Sequence, residues 1–257
     1  MASRGLLSIL VPVFNEAPTV ADCLRQVLDA PLPAGVEPEV IVVDDGSTDG
    51  TLDALHACAE GDPRIRVLAH AQNQGKGAAV RTALAASRGD ICLIQDADLE
   101  YDPADYPRLL GPILDDEADV VYGSRFLPRE RRRVLRYWHS AGNRFLTRLS
   151  NRLTDLDLTD METGFKVARG DLFRSIPIRS ARFGLEPELT AKFARLRCRI
   201  CEVPVRYVSR GYGDGKKITW RDGVSALFTM LRFRFVRDLP PAPRTEAPPR
   251  NSGESPP

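Results

Sequence analysis

Short apolar runs alternate with helix-like segments between Leu6 and Phe126, and this alternation limits the possible folds more than any other feature of the chain. The runs are LLSILVPVF, EVIVVDDGS, IRVLAH, DICLIQDAD and DVVYGSRF. Nearly continuous Val, Ile and Leu is typical of strands buried on both faces, and strand–helix alternation makes neighbouring strands parallel. We therefore predict an α/β fold with a mostly parallel, doubly wound sheet and helices on both of its faces.

Polar residues follow these apolar runs, where the carboxyl ends of the strands are expected. The polar stretches are PVFNE, DDGS, NQGKG, DADLE and GSR. Each alone is compatible with an ordinary turn, because Asp, Asn and Gly are turn formers. In open α/β sheets, however, ligands bind outside the carboxyl ends of the strands. The shared position of the five stretches therefore favours one binding site.

A chain of 257 residues, 43% of them apolar, can bury a sizeable core, which excludes a wholly disordered protein. We expect one domain over residues 1–238 and a disordered, Pro-rich tail over residues 239–257. Five cysteines at irregular spacings do not suggest a disulfide framework, and we interpret Cys198 and Cys201 of CRIC as structural. No stretch approaches the ~20 apolar residues of a membrane-spanning helix, so we expect a cytoplasmic protein that is soluble or peripheral to a membrane.

The net charge of +1 conceals two neighbouring blocks of opposite charge. Nine acidic residues and one arginine lie between Asp96 and Asp119, whereas nine arginines and one glutamate lie between Arg125 and Arg152. Such blocks suit a cation bound beside an anion, or plain solvated surface, which is how we interpret Arg129 to Arg133. Aromatic residues make up only 7% of the chain and are not interleaved with the arginines, which argues against nucleic acid as a partner.

A basic amphipathic helix is predicted between Asn143 and Leu153. Its arginines recur at i, i+4 and i+8 beside apolar residues, as Arg144, Arg148 and Arg152 next to Phe145, Leu149 and Leu153. A helix of this kind attracts an anionic lipid surface or a phosphate group.

Three carboxylates, Asp96, Asp98 and Glu100, follow the apolar run ICLIQ at alternate positions. On an extended segment this spacing places all three side chains on one side. Hard oxygen ligands of this kind suit Mg²⁺ or Mn²⁺, and a bound cation would offset their mutual repulsion. The opposing interpretation is a solvated strand-to-helix turn, which accounts for Asp102 before Pro103 but not for Asp96.

The common nucleotide-binding motifs are missing from the sequence. No G-x-G-x-x-G follows the first strand, and NQGKGAA lacks the upstream glycine and the following Ser or Thr of a P-loop. These absences argue against dehydrogenases and P-loop kinases, and leave a nucleotide held by DDGS and a metal-binding D-x-D.

Taken in order, VPVFNE, VVDDGSTDGT, NQGKGAAVRTAL, QDADLE and VYGSRF resemble the family-2 glycosyltransferases, which have the GT-A fold. Within that family, TDMETGFKV, FGLEPELTAK and CEVPVRYVSRGYGDGKK are similar to the polyprenyl-phosphate sugar synthases of the dolichyl-phosphate mannose synthase type. The resemblance runs from about Leu6 to Lys217. It implies a GT-A catalytic domain over residues 1–238, with a nucleotide-binding half to about residue 125 and an acceptor half over about 126–238.

The resemblance also implies roles for individual residues. The nucleotide-sugar would be bound by Pro12, Phe14, Asn15, Glu16, Asp45, Lys76, Asp96 and Ala97, with Asp45 on the base. Asp96, Asp98 and Glu100 would bind Mg²⁺ or Mn²⁺. The catalytic residues would be Asp98, Arg125, Arg210 and Lys216, of which the three cations contact phosphate. Glutamine is common in the family where Glu100 stands, cysteine where Gly164 stands, and serine where Gly215 stands.

The activity implied is transfer of a hexose, with inversion, from GDP-mannose or UDP-glucose to a polyprenyl phosphate such as dolichyl or undecaprenyl phosphate. The same fold transferring sugar to a hydroxyl stays an alternative, with Glu162 or Asp160 as the base, since His56, His70 and His139 lie in none of the motifs. A non-catalytic nucleotide-sugar-binding protein is a further alternative.

The implied partners are a nucleotide-sugar donor, a lipid-phosphate acceptor and a membrane surface. The protein is expected to bind the cytoplasmic face of the membrane peripherally, and a membrane protein is a further candidate partner. The nearly apolar segment VSALFTMLRFRF predicts contact with the membrane interface rather than a span.

Overall fold

The structure, a computed structural model, describes residues 5–129, 137–182 and 184–209, together with residues 229, 232 and 233. Within these residues the strands are β1 (Gly5–Val13), β2 (Val36–Asp44), β3 (Ile65–Ala69), β4 (Ile91–Ile94), β5 (Val120–Ser124), β6 (Lys166–Arg169) and β7 (Ile200–Pro204). The helices are α1 (Val20–Leu28), α2 (Thr51–Gly61), α3 (Lys76–Ala86), α4 (Tyr106–Leu114), α5 (Tyr137–Thr154), α6 (Gly170–Ser175) and α7 (Leu185–Arg195), with a 3₁₀ turn at Pro103–Asp105. The predicted tail lies outside the described residues.

The strands form one sheet of order β3-β2-β1-β4-β6-β5-β7. The pairs β1–β2, β2–β3, β1–β4 and β5–β7 are parallel, which confirms the predicted mostly parallel sheet. Strand β6, which was not predicted from the sequence, lies antiparallel between β4 and β5. This strand has only four residues and begins and ends with the charged Lys166 and Arg169, so it carries no apolar run.

Two apolar clusters cover the two faces of the sheet. On β1, Ile9 and Val11 face a cluster with residues of α1, α2 and α4, whereas Leu10 faces a cluster with residues of α3, α6 and α7. Burial on both faces explains why the strand sequences are almost unbroken runs of apolar residues. Cys201 packs against the first cluster and Cys198 against the second, and both thiols are free.

The predicted basic helix is present as α5, which begins at Tyr137, six residues before the expected start. None of the helices in the described ranges has the length and hydropathy that crossing a bilayer would require. Most of VSALFTMLRFRF lies outside the described residues, as do Arg131 to Arg133.

Candidate functional site

The loops after β1 and β2 are joined into one unit by reciprocal hydrogen bonds. The backbone N–H of Asn15 donates to Oγ of Ser47 at 2.9 Å, and the N–H of Thr48 donates back to Oδ1 of Asn15 at 2.9 Å. The N–H of Glu16 donates to Oγ1 of Thr51 at 2.9 Å. Asn15 has a φ of +52°, a left-handed conformation that asparagine tolerates better than most residues. The two predicted nucleotide-contacting stretches therefore form a single ordered wall.

Asp45 fixes the loop that precedes α3. Its side chain is almost fully buried, and its oxygens accept hydrogen bonds from the backbone N–H groups of Gln74 at 2.9 Å and Gly75 at 2.6 Å. Oδ1 also lies 2.7 Å from Nδ1 of His70, whose Nε2 lies 2.9 Å from Oγ1 of Thr82. Contact between Asp45 and a base stays a prediction, which the remaining lone pairs of the carboxylate permit.

His70 is a site residue that was not predicted from the sequence. It directly follows β3, and its backbone N–H donates to the carbonyl of Asp44 at 2.8 Å. Its position after the last apolar residue of the third strand was the available signal. Because a carboxylate only accepts hydrogen bonds, Nδ1 of His70 donates to Asp45, while Nε2 lies within hydrogen-bond distance of the Thr82 hydroxyl. The residue therefore links Asp45 to α3.

The amino end of α3 is closed by protein rather than open to an anion. The carbonyl of Ala181 accepts from the N–H groups of Gly77 at 2.8 Å and Ala78 at 3.3 Å. A Cβ on Gly77 would clash with the carbonyl of Ser180, so NQGKG requires glycine here for close backbone packing. Similarity of this stretch to a phosphate-binding loop is therefore limited to Lys76.

Lys76 joins the loop after β4 to the start of α7. Its Nζ lies 2.8 Å from Oδ1 of Asp96 and 3.0 Å from Oε1 of Glu186. Burial would lower the pKa of Lys76, but the two carboxylates outweigh burial and raise the pKa above its ordinary value. Lys76 is therefore a permanent cation at the carboxyl end of β4, beside the predicted metal position.

The three carboxylates after β4 do not lie on an extended segment, in contrast to the sequence-based expectation. The strand ends at Ile94, Leu99 has a φ of +59°, and the N–H of Glu100 donates to Oδ1 of Asp98 at 3.1 Å. The segment is thus a turn, with a non-glycine residue in the left-handed region. Ala97, between the two aspartates, is buried in the core.

The turn gives the carboxylates different partners. Asp96 binds Lys76, and Oε2 of Glu100 accepts from the hydroxyl of Tyr207 at 2.5 Å. Across the described residues, no group of three or more His, Cys, Asp and Glu is arranged to hold a metal ion. Asp96 and Asp98 still offer hard oxygens, and Mg²⁺ is commonly held by one or two carboxylates together with substrate phosphates. The donor set therefore fits a divalent cation that arrives with a diphosphate.

The segment after β7 packs across this turn. Besides the Tyr207 hydroxyl, the N–H of Val208 donates to the carbonyl of Glu100 at 2.9 Å. Arg206 pairs with Asp102 at 2.9 Å. Two predicted catalytic cations, Arg210 and Lys216, lie outside the described residues, and Arg210 follows this segment by two residues in the chain.

Arg125, directly after β5, is paired with Asp160. Its Nε and one terminal nitrogen bond the two carboxylate oxygens at 2.7 and 2.8 Å, and its backbone N–H donates to Oδ2 at 3.0 Å. Burial would lower the pKa of Arg125, but the Asp160 charge raises it well above the usual value. The guanidinium also lies over the ring of Tyr207, 5.1 Å from its centroid. The remaining N–H donors stay available for the predicted phosphate contact.

Arg129 does not lie in solvent. The interpretation of Arg129 to Arg133 as solvated surface is therefore wrong for Arg129. Its two terminal nitrogens bond both oxygens of the buried Asp105 at 3.2 and 3.1 Å. A bidentate pair of this kind fixes the chain after β5 to the 3₁₀ turn. The partner lies 24 residues earlier, so no local pattern indicated it.

The loop before β6 distinguishes the two carboxylates proposed as bases. Asp160 is fully buried and bonded to Arg125, and Asn143 also donates to it at 3.2 Å. Glu162, by contrast, has a buried Oε1 with no hydrogen-bond partner in the part of the chain that the structure describes. Burial and the Glu186 charge raise the pKa of Glu162 to about 8, against the opposing influence of Lys166 and Arg125. Of the two carboxylates, only Glu162 has a buried oxygen that lacks a hydrogen bond among the described residues.

Gly164 gives the first testable prediction, because a Cβ at this position would clash with Oδ2 of Asp96. We expect Gly164→Ala to push the Asp96 carboxylate aside and to lower the free energy of unfolding by about 1–3 kcal/mol, as overpacking does. Urea denaturation measures this change. Gly111→Ala, in α4, is the matched control, since nothing lies within 4 Å of its added methyl group. Equal stability of the two variants would contradict the packing described.

Comparison with known proteins places these features in a family. Residues 8–176 match the sequence profile of glycosyl transferase family 2. The chain is 33% identical over 220 residues to the undecaprenyl-phosphate mannosyltransferase of Micrococcus luteus, covering 80% of this chain and 85% of that protein. It is 31% identical over 217 residues to the undecaprenyl-phosphate 4-deoxy-4-formamido-L-arabinose transferase of Pseudomonas aeruginosa, covering 82% of this chain but only 60% of that protein.

Among solved structures, the fold is similar to that of glucosyl-3-phosphoglycerate synthase from Mycobacterium tuberculosis in complex with Mn²⁺, uridine diphosphate and glucosyl-3-phosphoglycerate. The TM-score is 0.68 at 23% identity, over 91% of this chain and 81% of the other. At that identity the similarity establishes the fold alone. The predicted GT-A type of α/β fold is thereby confirmed.

Proposed function

The chain belongs to glycosyl transferase family 2, and from this premise we propose that it transfers a hexose from a nucleotide-sugar to a polyprenyl phosphate. The observation that carries the proposal is that the two relatives described share undecaprenyl phosphate in their names while differing in the sugar. The acceptor class is thus supported more strongly than the sugar. GDP-mannose and UDP-glucose remain the leading donors.

The donor would lie along the carboxyl ends of β1, β2 and β4. Its binding residues are proposed to be Pro12, Phe14, Asn15, Glu16, Asp45, Lys76, Asp96 and Ala97. The wall formed by the loops after β1 and β2 would hold the nucleoside, and Lys76 would neutralise phosphate charge. Asp96 and Asp98, with Glu100 beside them, would hold Mg²⁺ or Mn²⁺, which supplies charge neutralisation of a leaving diphosphate.

The reaction proposed is a single in-line displacement. An oxygen of the acceptor phosphate attacks the anomeric carbon, the bond from that carbon to the diphosphate oxygen breaks, and the nucleoside diphosphate leaves with the electron pair. The configuration at the anomeric carbon is inverted. Because a phosphate is already anionic, it needs cations to position it rather than a base, and Arg125, Arg210 and Lys216 are proposed for that role. Anchoring by Asp160 aims the Arg125 guanidinium in advance.

Transfer to a hydroxyl is the second candidate, and Glu162 is the observation that favours it. A hydroxyl nucleophile needs a base, and an efficient base has a pKa near the working pH. Burial and the Glu186 charge raise the pKa of Glu162 above the ordinary carboxyl value, which is the direction such a base requires. Asp160 is the weaker choice for the base because Arg125 occupies it.

Product formation tests the proposed function. Purified protein is incubated with Mg²⁺ or Mn²⁺, a short-chain polyprenyl phosphate and a panel of GDP- and UDP-sugars, with parallel reactions that omit the lipid or add EDTA. We expect a lipid-linked monosaccharide that forms only with metal, and the anomeric proton signal of the product reports inversion. Sugar transfer to a hydroxyl acceptor but never to the lipid would contradict the proposal and support the second candidate.

We further propose that α5 binds the cytoplasmic face of the membrane peripherally. Three aromatic side chains of the helix lie in solvent, at exposed fractions of 74% for Tyr137, 82% for Trp138 and 64% for Phe145. Arg144 and Arg148 are exposed on the same helix. Aromatic side chains beside arginines are typical of helices that lie in the interface of an anionic bilayer. Such a surface would hold the enzyme beside a lipid-linked acceptor.

Replacing Arg144 and Arg148 together by glutamine is expected to weaken binding to anionic vesicles by about 30-fold, at about 1 kcal/mol per basic residue near the surface. Sedimentation with vesicles of phosphatidylglycerol and phosphatidylcholine measures the change. The matched control is Arg25→Gln with Arg64→Gln, two exposed arginines elsewhere. Equal loss in the control, or no binding by the unmodified chain, would contradict α5 as the membrane surface; the second result would favour recruitment by a membrane protein.

A further inference from the structure

Among the described residues, Oε1 of Glu162 has no hydrogen-bond partner, and a substrate could supply one. We propose that Glu162 recognises the sugar of the donor, with Oε1 accepting a hydrogen bond from a ring hydroxyl. This inference deepens the proposed function, because it presumes that a nucleotide-sugar binds at this sheet edge.

Glu162 lies in a stretch whose other residues are buried. Every other residue from Asp160 to Lys166 is buried, and only Glu162 is partly exposed. The ammonium of Lys166 donates to the carbonyls on either side of it, Met161 at 3.0 Å and Thr163 at 2.6 Å. Lys166 therefore holds the backbone on both sides of Glu162, and Glu162 is the residue of this stretch that stays partly exposed.

The two ends of this loop contact different parts of the proposed site, one at Arg125 and the other on the donor side. At one end Asp160 grips Arg125, which is proposed to contact phosphate. At the other end Gly164 packs against the carboxylate of Asp96, on the donor side. Glu162 is between them, where the sugar must lie if it passes from a diphosphate to an acceptor phosphate.

The chemistry of the Glu162 carboxyl group favours contact with the sugar over contact with a phosphate. Glu186 and Asp160 face Glu162 as negative charges, and Lys166 and Arg125 as positive ones. A carboxyl group in this setting repels phosphate when ionised, but it accepts hydrogen bonds from neutral hydroxyls. A buried oxygen without a partner is destabilising, so a hydroxyl that supplies the hydrogen bond binds favourably.

Binding measurements test the proposal without turnover. Calorimetry compares UDP with UDP-glucose, and GDP with GDP-mannose, in the intact protein with Mn²⁺ and no acceptor. In the unmodified protein one nucleotide-sugar should bind more tightly than its nucleoside diphosphate. Glu162→Ala should weaken that nucleotide-sugar by about 10-fold or more and leave the nucleoside diphosphate unchanged, whereas Glu162→Gln, which keeps an acceptor oxygen, should lose much less. The control is Glu39→Gln, which alters a buried carboxylate bonded to Ser8 and Arg88. It should change neither affinity.

Deoxy analogues of the same sugar identify the hydroxyl. The analogue that lacks the recognised hydroxyl should bind weakly to the unmodified protein but lose nothing further in Glu162→Ala. Equal weakening of nucleotide and nucleotide-sugar in Glu162→Ala would overturn the proposal, as would a nucleotide-sugar that binds no better than its nucleotide in the unmodified protein. Normal donor affinity in both Glu162→Ala and Glu162→Gln, with turnover lowered by 100-fold or more, would overturn the proposal and identify a general base. Donor recognition with no transfer to lipid would contradict the proposed function alone.

Discussion

Asp98→Ala is expected to lower kcat/KM for sugar transfer by about 100-fold or more while the protein stays folded. The physical reason is that the nucleoside diphosphate leaves with developing negative charge, and removing one group that stabilises such charge typically costs 10²–10³ in rate. Asp98 lies in a turn and is partly exposed, and its Oδ1 accepts a hydrogen bond from the backbone N–H of Glu100. Steady-state kinetics over a range of Mn²⁺ concentrations measures the loss, and thermal melting verifies the fold.

Asp102→Asn is the matched control for Asp98→Ala. Asp102 is a carboxylate four residues further along that accepts from the N–H of Ala104 at 2.9 Å, a hydrogen bond that asparagine can keep. Its ion pair with Arg206 is largely exposed and contributes little to stability. We expect turnover in the control within a few-fold of the unmodified protein. Unchanged kcat/KM in Asp98→Ala at every metal concentration would remove Asp98 from the proposed metal site.

Asp160→Asn is expected to lower the free energy of unfolding by about 3–5 kcal/mol, the cost of leaving a buried charge without its partner. Asp160 is fully buried and the side chain of Arg125 is only 14% exposed, so water does not replace the lost carboxylate. In the native protein the Asp160 carboxylate raises the pKa of Arg125. Without that carboxylate, burial would lower the pKa and disfavour the charged guanidinium. Urea denaturation monitored by circular dichroism measures the effect.

Two further variants separate charge burial from general damage. Asp116→Asn removes a carboxylate that is 75% exposed and paired with Arg199, so we expect almost no change in the free energy of unfolding. Replacing Arg125 and Asp160 together by Met and Leu should recover much of the stability lost in Asp160→Asn, because no unpaired charge is left. A double variant less stable than the single one would contradict this account.

The parts of the fold that could be predicted are those with a local signature. Strands β1 to β5 are apolar runs that end in turn-forming residues, and the chain from Leu6 to Phe126 alternates them with helices, so both type and order followed from the sequence. Strand β6 could not be predicted, because its place between β4 and β5 depends on pairing across the sheet and not on its four residues. Position in a sheet is a non-local property.

The candidate site also has features that could be predicted from the sequence and features that could not. The residues that gather at the sheet edge could be predicted because each follows a strand, but their partners could not. Lys76 and Glu186 are 110 residues apart, and Arg125 and Asp160 are 35 apart. The extended geometry expected for the carboxylates after β4 was wrong because Leu99 adopts a left-handed conformation that only its tertiary setting selects. Ion pairing and backbone strain are set by the folded environment.

The position of β6 has a consequence for synthesis of the protein. Strand β4 leaves the ribosome with one neighbour, β1, and its other edge stays open until residues 166–169 have been translated. At about 5–20 residues per second, this interval lasts several seconds, during which a flat apolar edge is accessible to other nascent chains. A stop codon or a proteolytic cut between β5 and β6 would therefore yield an aggregating fragment rather than a small soluble nucleotide-binding unit.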